Sequence, residues 1–236
     1  MTKNIDSTEG KILVEPAKTV SGLSRRKFLN YAGASASLAL LAAACKKDDV
    51  MNDGVNLGSG DTGILNYAYA LEQLEAAFYI QVIKTPYANI SADEKSYLTD
   101  IRDHEIAHRE FFKAALAGSA IPALEVNFTS INFADRTSVL ATAKAFEDLG
   151  VSAYNGAGQL IVKADYLVLA GKIVSVEARH AALIRDLISN GSFVGNSTDD
   201  KIVDANGRDL ARTPSEVLAI AGNYIKTKIN PSNLPS

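Results

Sequence analysis

The chain has one cysteine, six prolines and three histidines among its 236 residues. A single cysteine, Cys45, excludes an intramolecular disulfide and a zinc site built on several thiolates. The small number of prolines and an apolar share of 47% are compatible with one domain that has a substantial core. The net charge is only −3 and no basic stripe is present, which argues against nucleic-acid binding.

The N-terminal region also lacks an apolar run of transmembrane length. Residues 28–44 are fewer than the roughly 20 that a spanning helix needs, and serine and glycine dilute them. A membrane anchor is therefore the weaker interpretation. Arg25 and Arg26 precede this weakly apolar run, and together they resemble a twin-arginine export signal.

The residues around Cys45 resemble a bacterial lipoprotein cleavage site, although Ala42 stands where a larger aliphatic residue is usual. A lone cysteine can instead be a small buried residue, but the charged residues 46–49 follow directly and disfavour burial. The resemblance implies that residues 1–45 are a signal read by the twin-arginine machinery. It also implies a lipid on Cys45 that holds the protein at the membrane, in the cell envelope, on the periplasmic side or at the outer-membrane surface.

The remaining chain divides by its local patterns. Residues 46–61 are rich in glycine and predict a flexible tether. Residues 62–190 predict four helices that begin at capping residues and end near Lys84, Gly118, Gly158 and Ser189. The predicted caps are Asp61 or Thr62, Ser91, Asp135 and Asp165. The aperiodic residues 119–134 predict a long crossover between the second and third helices.

Residues 191–236 predict a C-terminal extension. Residues 204–207 indicate a tight turn. Thr213 and Glu216 form a capping box with Pro214 at the first helical position, which predicts a short amphipathic helix through Ile225.

Two of the three histidines follow a glutamate by three residues. The pairs are Glu105 with His108 and Glu177 with His180, and this spacing places both side chains on one face of a helix. Each pair lies in an apolar seam, where an unpartnered carboxylate would cost several kcal/mol. A cation is therefore expected beside them. The two seams are Ile101, Glu105, His108, Phe112 and Ala115, and Ile173, Glu177, His180, Ile184 and Leu187.

The sequence contains an internal repeat. Glu72 precedes Tyr79 by seven residues, and Glu147 precedes Tyr154 by the same interval. A Glu-x-x-His pair follows each of these segments about 30 residues on. The repeat therefore relates six residues of the two halves to one another: Glu72, Glu105, His108, Glu147, Glu177 and His180.

These motifs resemble the ferritin-like di-iron carboxylate superfamily, in which two helices give one glutamate each and two give Glu-x-x-His. The sequences around 71–75 and 175–180 are most similar to exported ferritin-like proteins of the desiccation-related type. The resemblance implies an all-α, ferritin-like four-helix bundle. Two helix hairpins are joined by a long crossover, and a short C-terminal helix follows.

The same resemblance implies a site for two divalent metal ions. Glu72 and Glu147 would bridge or chelate, and the two Glu-x-x-His pairs would each hold one ion. The negative charge of four carboxylates balances the positive charge of two divalent ions. A ligand set of oxygen and nitrogen atoms without thiolate fits iron or manganese, with zinc as a further alternative.

Several residues near this set allow more than one interpretation. Glu75 is an extra ligand, a hydrogen-bond acceptor behind the ligands or a partly exposed charge on the helix. Its counterpart in the repeat is Gly150, which is not a ligand, and the partly exposed charge is the preferred interpretation. His104 lies off the seam, at the surface or behind the ligands. Tyr79 and Tyr154 have a redox role or, more commonly for buried tyrosines, pack with a hydrogen-bonded hydroxyl.

The leading functional hypothesis is an exported metal protein that activates O2 or peroxide, with Fe(II) as a substrate, in ferroxidase or peroxidase-like oxidoreductase chemistry. The alternative is a non-catalytic stress- or desiccation-protective envelope protein, in which metals only stabilise the bundle. Iron storage is a weaker third hypothesis, because a lipid tether hinders cage assembly. We expect a monomer or dimer.

Overall fold

A computed structural model describes residues 54–195 and 200–235. The export and lipidation residues Arg25, Arg26 and Cys45, and the first half of the predicted tether, lie outside this part of the chain. Within it, four long helices form two packed hairpins, which confirms the predicted all-α, ferritin-like architecture. No helix in the described ranges is both long and apolar enough to span a membrane.

The first hairpin consists of α1 (Gly60–Lys84) and α2 (Ala92–Leu116). The second consists of α3 (Arg136–Gly158) and α4 (Ala164–Ile188). A 3₁₀ turn at Ala117–Ser119 follows α2.

Two of the predicted long-helix caps are present. The Ser91 hydroxyl accepts a hydrogen bond from the Glu94 amide, and the Asp135 carboxylate accepts from two amides at the start of α3. Side chains of this type satisfy amides that have no partner within the helix.

The other two cap predictions were wrong. Helix α1 begins earlier, after Ser59, and the Asp61 carboxylate instead accepts hydrogen bonds from the amides of Val162 (2.8 Å) and Lys163 (3.0 Å). Helix α4 has Lys163 at its N-cap, and Asp165 lies within its first turn. The contacts of Asp61 tie the start of α1 to the α3–α4 connection.

The described part of the predicted tether is largely ordered. Strand β1 (Val55–Asn56) pairs in parallel with β2 (Ile229–Asn230) near the other end of the chain, and Leu57 is fully buried. The tether prediction was therefore wrong for residues 55–61. The Val55 amide donates to the Lys228 carbonyl, a partner so distant in sequence that no local pattern reveals it.

The crossover and the C-terminal extension pack on the bundle. The buried amide side chains of Asn66 and Gln73 in α1 hydrogen-bond the backbone of the crossover at Ile121 and Leu124. Helix α5 (Pro214–Ala221) has the predicted capping box and packs on α3, but it ends four residues before Ile225. The predicted turn at 204–207 is present, with Gly207 at φ +74°.

Candidate metal centre

All four long helices contribute side chains to one buried cluster. Glu72 comes from α1, Glu147 from α3, and the two Glu-x-x-His pairs from α2 and α4. The four carboxyl groups are fully buried, and His180 is 4% exposed. His108 is slightly more accessible, with 13% of its side chain exposed. The bundle thus brings all six predicted residues together.

The cluster is built with near twofold symmetry. His108 Nδ1 lies 2.8 Å from Glu177 Oε1 and 3.5 Å from Glu72 Oε2. In the same way, His180 Nδ1 lies 2.8 Å from Glu105 Oε1 and 3.5 Å from Glu147 Oε2. Each histidine of one hairpin therefore contacts a glutamate of the other hairpin.

The six residues form two overlapping ligand groups, and within each group the four nearest atoms lie within 4.8 Å of one another. One group is Glu72, Glu105, His108 and Glu177; the other is Glu105, Glu147, Glu177 and His180. Glu105 and Glu177 belong to both groups. The geometry therefore favours these two carboxylates as the residues shared between the groups, whereas the sequence interpretation had Glu72 and Glu147 bridge or chelate.

The two tyrosines of the repeat hold the unshared glutamates. The Tyr79 hydroxyl donates to Glu147 Oε1 at 2.5 Å, and the Tyr154 hydroxyl donates to Glu72 Oε1. Each bond links α1 to α3 and leaves Oε2 of the carboxylate directed at the cluster. The tyrosines therefore fix the orientation of the two carboxylates.

Glu75 is not the partly exposed helix charge that the sequence interpretation preferred. Its residue is only 3% exposed, and a Cβ atom built on Gly150 would lie 3.0 Å from Glu75 Oε1. The carboxyl group occupies the space that the glycine leaves open in α3. Burial, together with the neighbouring carboxylates, holds the pKa of Glu75 well above its usual range.

His104 is exposed on α2 and contacts His180. Its Nδ1 lies 2.9 Å from His180 Nε2, and the two rings are stacked with centroids 5.1 Å apart. If His180 offers the Nδ1 lone pair to a cation, its Nε2 carries the proton and donates to His104. The sequence placed His104 beside the site without identifying this contact. Position 176, the repeat counterpart of His104, is a valine, so only one hairpin has the contact.

The protonation state of the cluster is unusual. Burial raises the pKa of Glu147 to about 7, although hydrogen bonds with His180 and Tyr79 oppose the shift. Burial by itself would lower the pKa values of His108 and His180. Their contacts with Glu105 and neighbouring carboxylates outweigh burial and raise both values to about 12. The neighbouring carboxylates thus favour the protonated, cationic form of both histidines when no metal is bound.

The nitrogen and oxygen atoms of the cluster fit bound metal ions. Among the described residues, ten buried side-chain nitrogen and oxygen atoms have no hydrogen bond of acceptable geometry, and eight of them belong to the six cluster residues. Buried polar atoms in native proteins are nearly always satisfied. Both histidine Nδ1 atoms and both oxygens of Glu105 and Glu177 are in this set, so lone pairs converge on a common space once the histidines give up their protons to a metal ion. Oxygen and imidazole donors without thiolate suit iron, manganese or zinc.

The model of the ferritin-like domain family matches residues 60–190, which is more than half of the chain. The chain belongs to the ferritin-like domain family. Comparison with curated proteins gives no match. The matched residues contain the four long helices and all six cluster residues, so the ferritin-like domain includes the whole candidate metal centre.

Proposed function

We propose that this ferritin-like domain binds two divalent metal ions, preferably iron, and oxidises Fe(II) with O2 or H2O2. The observation that carries the proposal is the set of buried, unsatisfied donor atoms on the six cluster residues. In this chemistry O2 takes up two protons and two electrons, one from each of two ferrous ions, and becomes H2O2; with H2O2 as oxidant the product is two molecules of water.

The protein residues have distinct roles in this proposal. Glu105 and Glu177 belong to both ligand groups and would help to hold both ions, whereas Glu72 with His108 and Glu147 with His180 would each help to hold one. Tyr79 and Tyr154 keep the unshared carboxylates in position and surround them with apolar rings that exclude water.

His104 connects the site to solvent. It is exposed, and its Nδ1 can accept the proton on His180 Nε2. A proton released from the ligands on metal binding, or required by the reduction of the oxidant, can move through this contact. The preorganised donors and the local exclusion of water are the protein's contribution to the reaction.

Metal content and Fe(II) oxidation measured on one sample test the proposal. Elemental mass spectrometry should find about two metals per chain. Absorbance measurements after mixing with Fe(II) should show oxidation well above that in buffer, and Glu147→Gln or His180→Ala should lose metal. Glu110→Gln, an exposed change on α2, is the control. A Glu147→Gln variant that keeps both equivalents would contradict the assignment.

Two metals without accelerated oxidation would instead support the alternative, a non-catalytic protective protein whose metals stabilise the bundle. Absence of metal after purification and after incubation with Fe(II), Mn(II) and Zn(II) would overturn both.

We also propose that the protein is exported and lipid-anchored. This proposal rests on Arg25, Arg26 and Cys45 in the sequence. Cys45→Ser should release the protein from the membrane fraction, and Arg25→Lys with Arg26→Lys should retain a precursor in the cytoplasm. Mass spectrometry of the membrane form would detect the acyl groups, and an unmodified thiol on Cys45 would contradict the anchor.

A further inference from the structure

The first two turns of α4 present apolar side chains to solvent. Val162, just before the helix, is 86% exposed, and Val168 and Leu167 are 58% and 46% exposed. Ala164 and Gly171 are also exposed, and a Cβ atom built on Gly171 would meet nothing within 4 Å. These five residues, Val162, Ala164, Leu167, Val168 and Gly171, form what we call the α4 apolar face.

This arrangement is the reverse of the usual one, because a helix on the outside of a bundle normally turns its charged residues to solvent. Helix α2 follows the usual pattern, with Asp103, Glu110 and Lys113 exposed. Helix α4 follows it only in its later turns, where Ser175 and Arg179 are exposed. Exposed apolar patches of this kind mark contact with another protein or with a membrane.

The α4 apolar face lies at the end of the bundle where the chain enters from its N-terminal side. The Asp61 carboxylate, at the start of α1, accepts hydrogen bonds from the amides of Val162 and Lys163. Gly54, the first described residue, follows Cys45 by nine residues (54 minus 45). Nine residues span at most about 32 Å, even when fully extended. A lipid on Cys45 would therefore hold this end of the bundle near the bilayer.

The polar residues around the face suit a bilayer surface. Lys163 and Lys172 flank it, and Asp165 is the one acid in the sequence between them. The ammonium group of Lys163 lies 5.0 Å from the centroid of the Tyr166 ring. Lysine stems can lie along apolar surface while the ammonium group stays in water, and tyrosine is common where proteins meet lipid headgroups. A net positive charge is also attracted to anionic lipids.

We propose that the α4 apolar face docks on the bilayer surface, with Val162, Leu167 and Val168 among the lipid headgroups and upper acyl chains. The inference rests on the proposed lipid anchor and adds to it the face of the bundle that the anchor brings to the membrane. A second copy of the chain is the other partner that such a face accepts. Pairing of two copies, however, explains neither the flanking lysines nor the position beside the entering chain.

The chain has no tryptophan and one cysteine, which supply the reporter and the attachment for a test. The full chain is coupled through the Cys45 thiol to a maleimide phospholipid in vesicles of phosphatidylethanolamine and phosphatidylglycerol. Leu167→Trp places the reporter on the α4 apolar face. Phe193→Trp is the matched control, because Phe193 is 53% exposed and lies beyond the other end of α4, a helix of 25 residues and thus about 38 Å long.

Apolar side chains of an interfacial helix reach about 5–10 Å into the boundary between headgroups and acyl chains. Phospholipids that carry a nitroxide at this depth should therefore quench the Leu167→Trp emission at least about twofold and leave the Phe193→Trp emission nearly unchanged. Val162→Asp with Val168→Asp, added to Leu167→Trp, should remove the quenching, because both carboxylates would have to enter the bilayer surface. Circular dichroism checks that this variant is folded, and Val162→Asp alone, outside the helix, replaces it if it is not.

Equal quenching of the two reporters, or quenching that survives the aspartate substitutions, would overturn the proposal. A Leu167→Trp emission that is already blue-shifted without vesicles, together with a dimer in sedimentation, would overturn it in favour of a contact between two copies. Chemical coupling replaces the cellular lipid, so the result does not depend on whether Cys45 is acylated in the cell. Absence of acyl groups on Cys45 would contradict the lipid anchor, whereas the quenching decides whether this face binds a bilayer.

Discussion

The carboxyl group of Glu75 packs against Gly150, where a Cβ atom would lie only 3.0 Å from its Oε1. These two residues occupy equivalent positions in the internal repeat, three residues after Glu72 and Glu147. One hairpin therefore supplies a fifth buried acid, and the other supplies the space for it. The two halves of the centre are alike in their ligands and different in their surroundings.

The raised pKa of Glu75 predicts that it is a neutral acid beside the ligands. Glutamine has the same shape, so Glu75→Gln should still bind two metals with little change in affinity. Gly150→Ala should disturb metal binding more, because it forces the Glu75 carboxyl group to move. Calorimetric titration with Fe(II) or Zn(II) measures both. Loss of one metal equivalent in Glu75→Gln would identify Glu75 as a ligand.

The shared position of Glu105 and Glu177 predicts an unequal response to ligand removal. Glu105→Gln or Glu177→Gln weakens both ligand groups and should abolish binding of both equivalents. Glu72→Gln or Glu147→Gln weakens one group and should leave about one metal per chain. Elemental analysis of the four variants, at equal protein concentration, separates these outcomes. Loss of both metals from Glu72→Gln, with one kept by Glu105→Gln, would restore the bridging role to Glu72.

The contact between His104 and His180 predicts that a substitution of His104 changes the affinity for only one of the two metal ions. Partners that orient a metal-binding histidine typically contribute about 10–100-fold to affinity. His104→Ala should weaken one binding step by that order and leave the other unchanged, and His104→Gln should restore part of the loss through its side-chain oxygen. Asp103→Ala, an exposed neighbouring change, is the control. Two equally weakened steps would show that His104 acts on the bundle as a whole.

The three correct cap predictions, at Ser91, Asp135 and Thr213, depend on partners within three residues in sequence. The six cluster residues could also be predicted from the sequence, because the 3.6-residue period and the repeat place them in the apolar seams of the helices. The predictions for Asp61, for the strand at Val55 and for Glu75 were wrong because their partners are distant in sequence. Their partners, at Val162, Lys228 and Gly150, are about 70 to 170 residues away, and only the folded chain brings them together. The repeat aligns Gly150 with Glu75. The glycine at this position was the one feature of the sequence that indicated space for a buried carboxyl group.

The pKa shifts predict that the metal-free protein is less stable at higher pH. A group whose pKa rises on folding stabilises the protein fully below its unfolded pKa and loses this contribution as the pH rises through the folded value. For Glu147 this interval runs from 4.5 to about 7, and for His108 and His180 from 6.5 to about 12. The free energy of unfolding should therefore fall between about pH 5 and pH 9.

Urea denaturation in the presence of a chelator, at several pH values, measures this slope. Glu147→Gln removes one titrating group and should flatten the curve below about pH 7, where this group alone accounts for on the order of 3 kcal/mol. The metal-loaded protein should not show the fall, because the metals replace the protons. A metal-free protein whose stability rises over the same range would refute the assigned protonation states.

The close packing of the C-terminal extension on α3 predicts opposite effects for two glycine substitutions. A Cβ atom on Gly156 would overlap the carbonyl oxygen of Arg212, whose amide donates to the Ser152 carbonyl at 3.0 Å. A Cβ atom on Gly171 in α4 would meet nothing within 4 Å. Alanine in a helix interior is favoured over glycine by about 0.5–1 kcal/mol at both positions.

Gly171→Ala should therefore raise the free energy of unfolding by about that amount, whereas Gly156→Ala should lower it by about 1–3 kcal/mol, typical of overpacking. The Gly156 change should also expose residues 200–235 to limited proteolysis, since it displaces the backbone that joins them to α3. If both substitutions stabilise the protein equally, the extension does not pack on α3 in solution. Stabilisation by Gly171→Ala alone, with new cleavage in Gly156→Ala, would establish that the extension supports the helix that carries Glu147 and Tyr154.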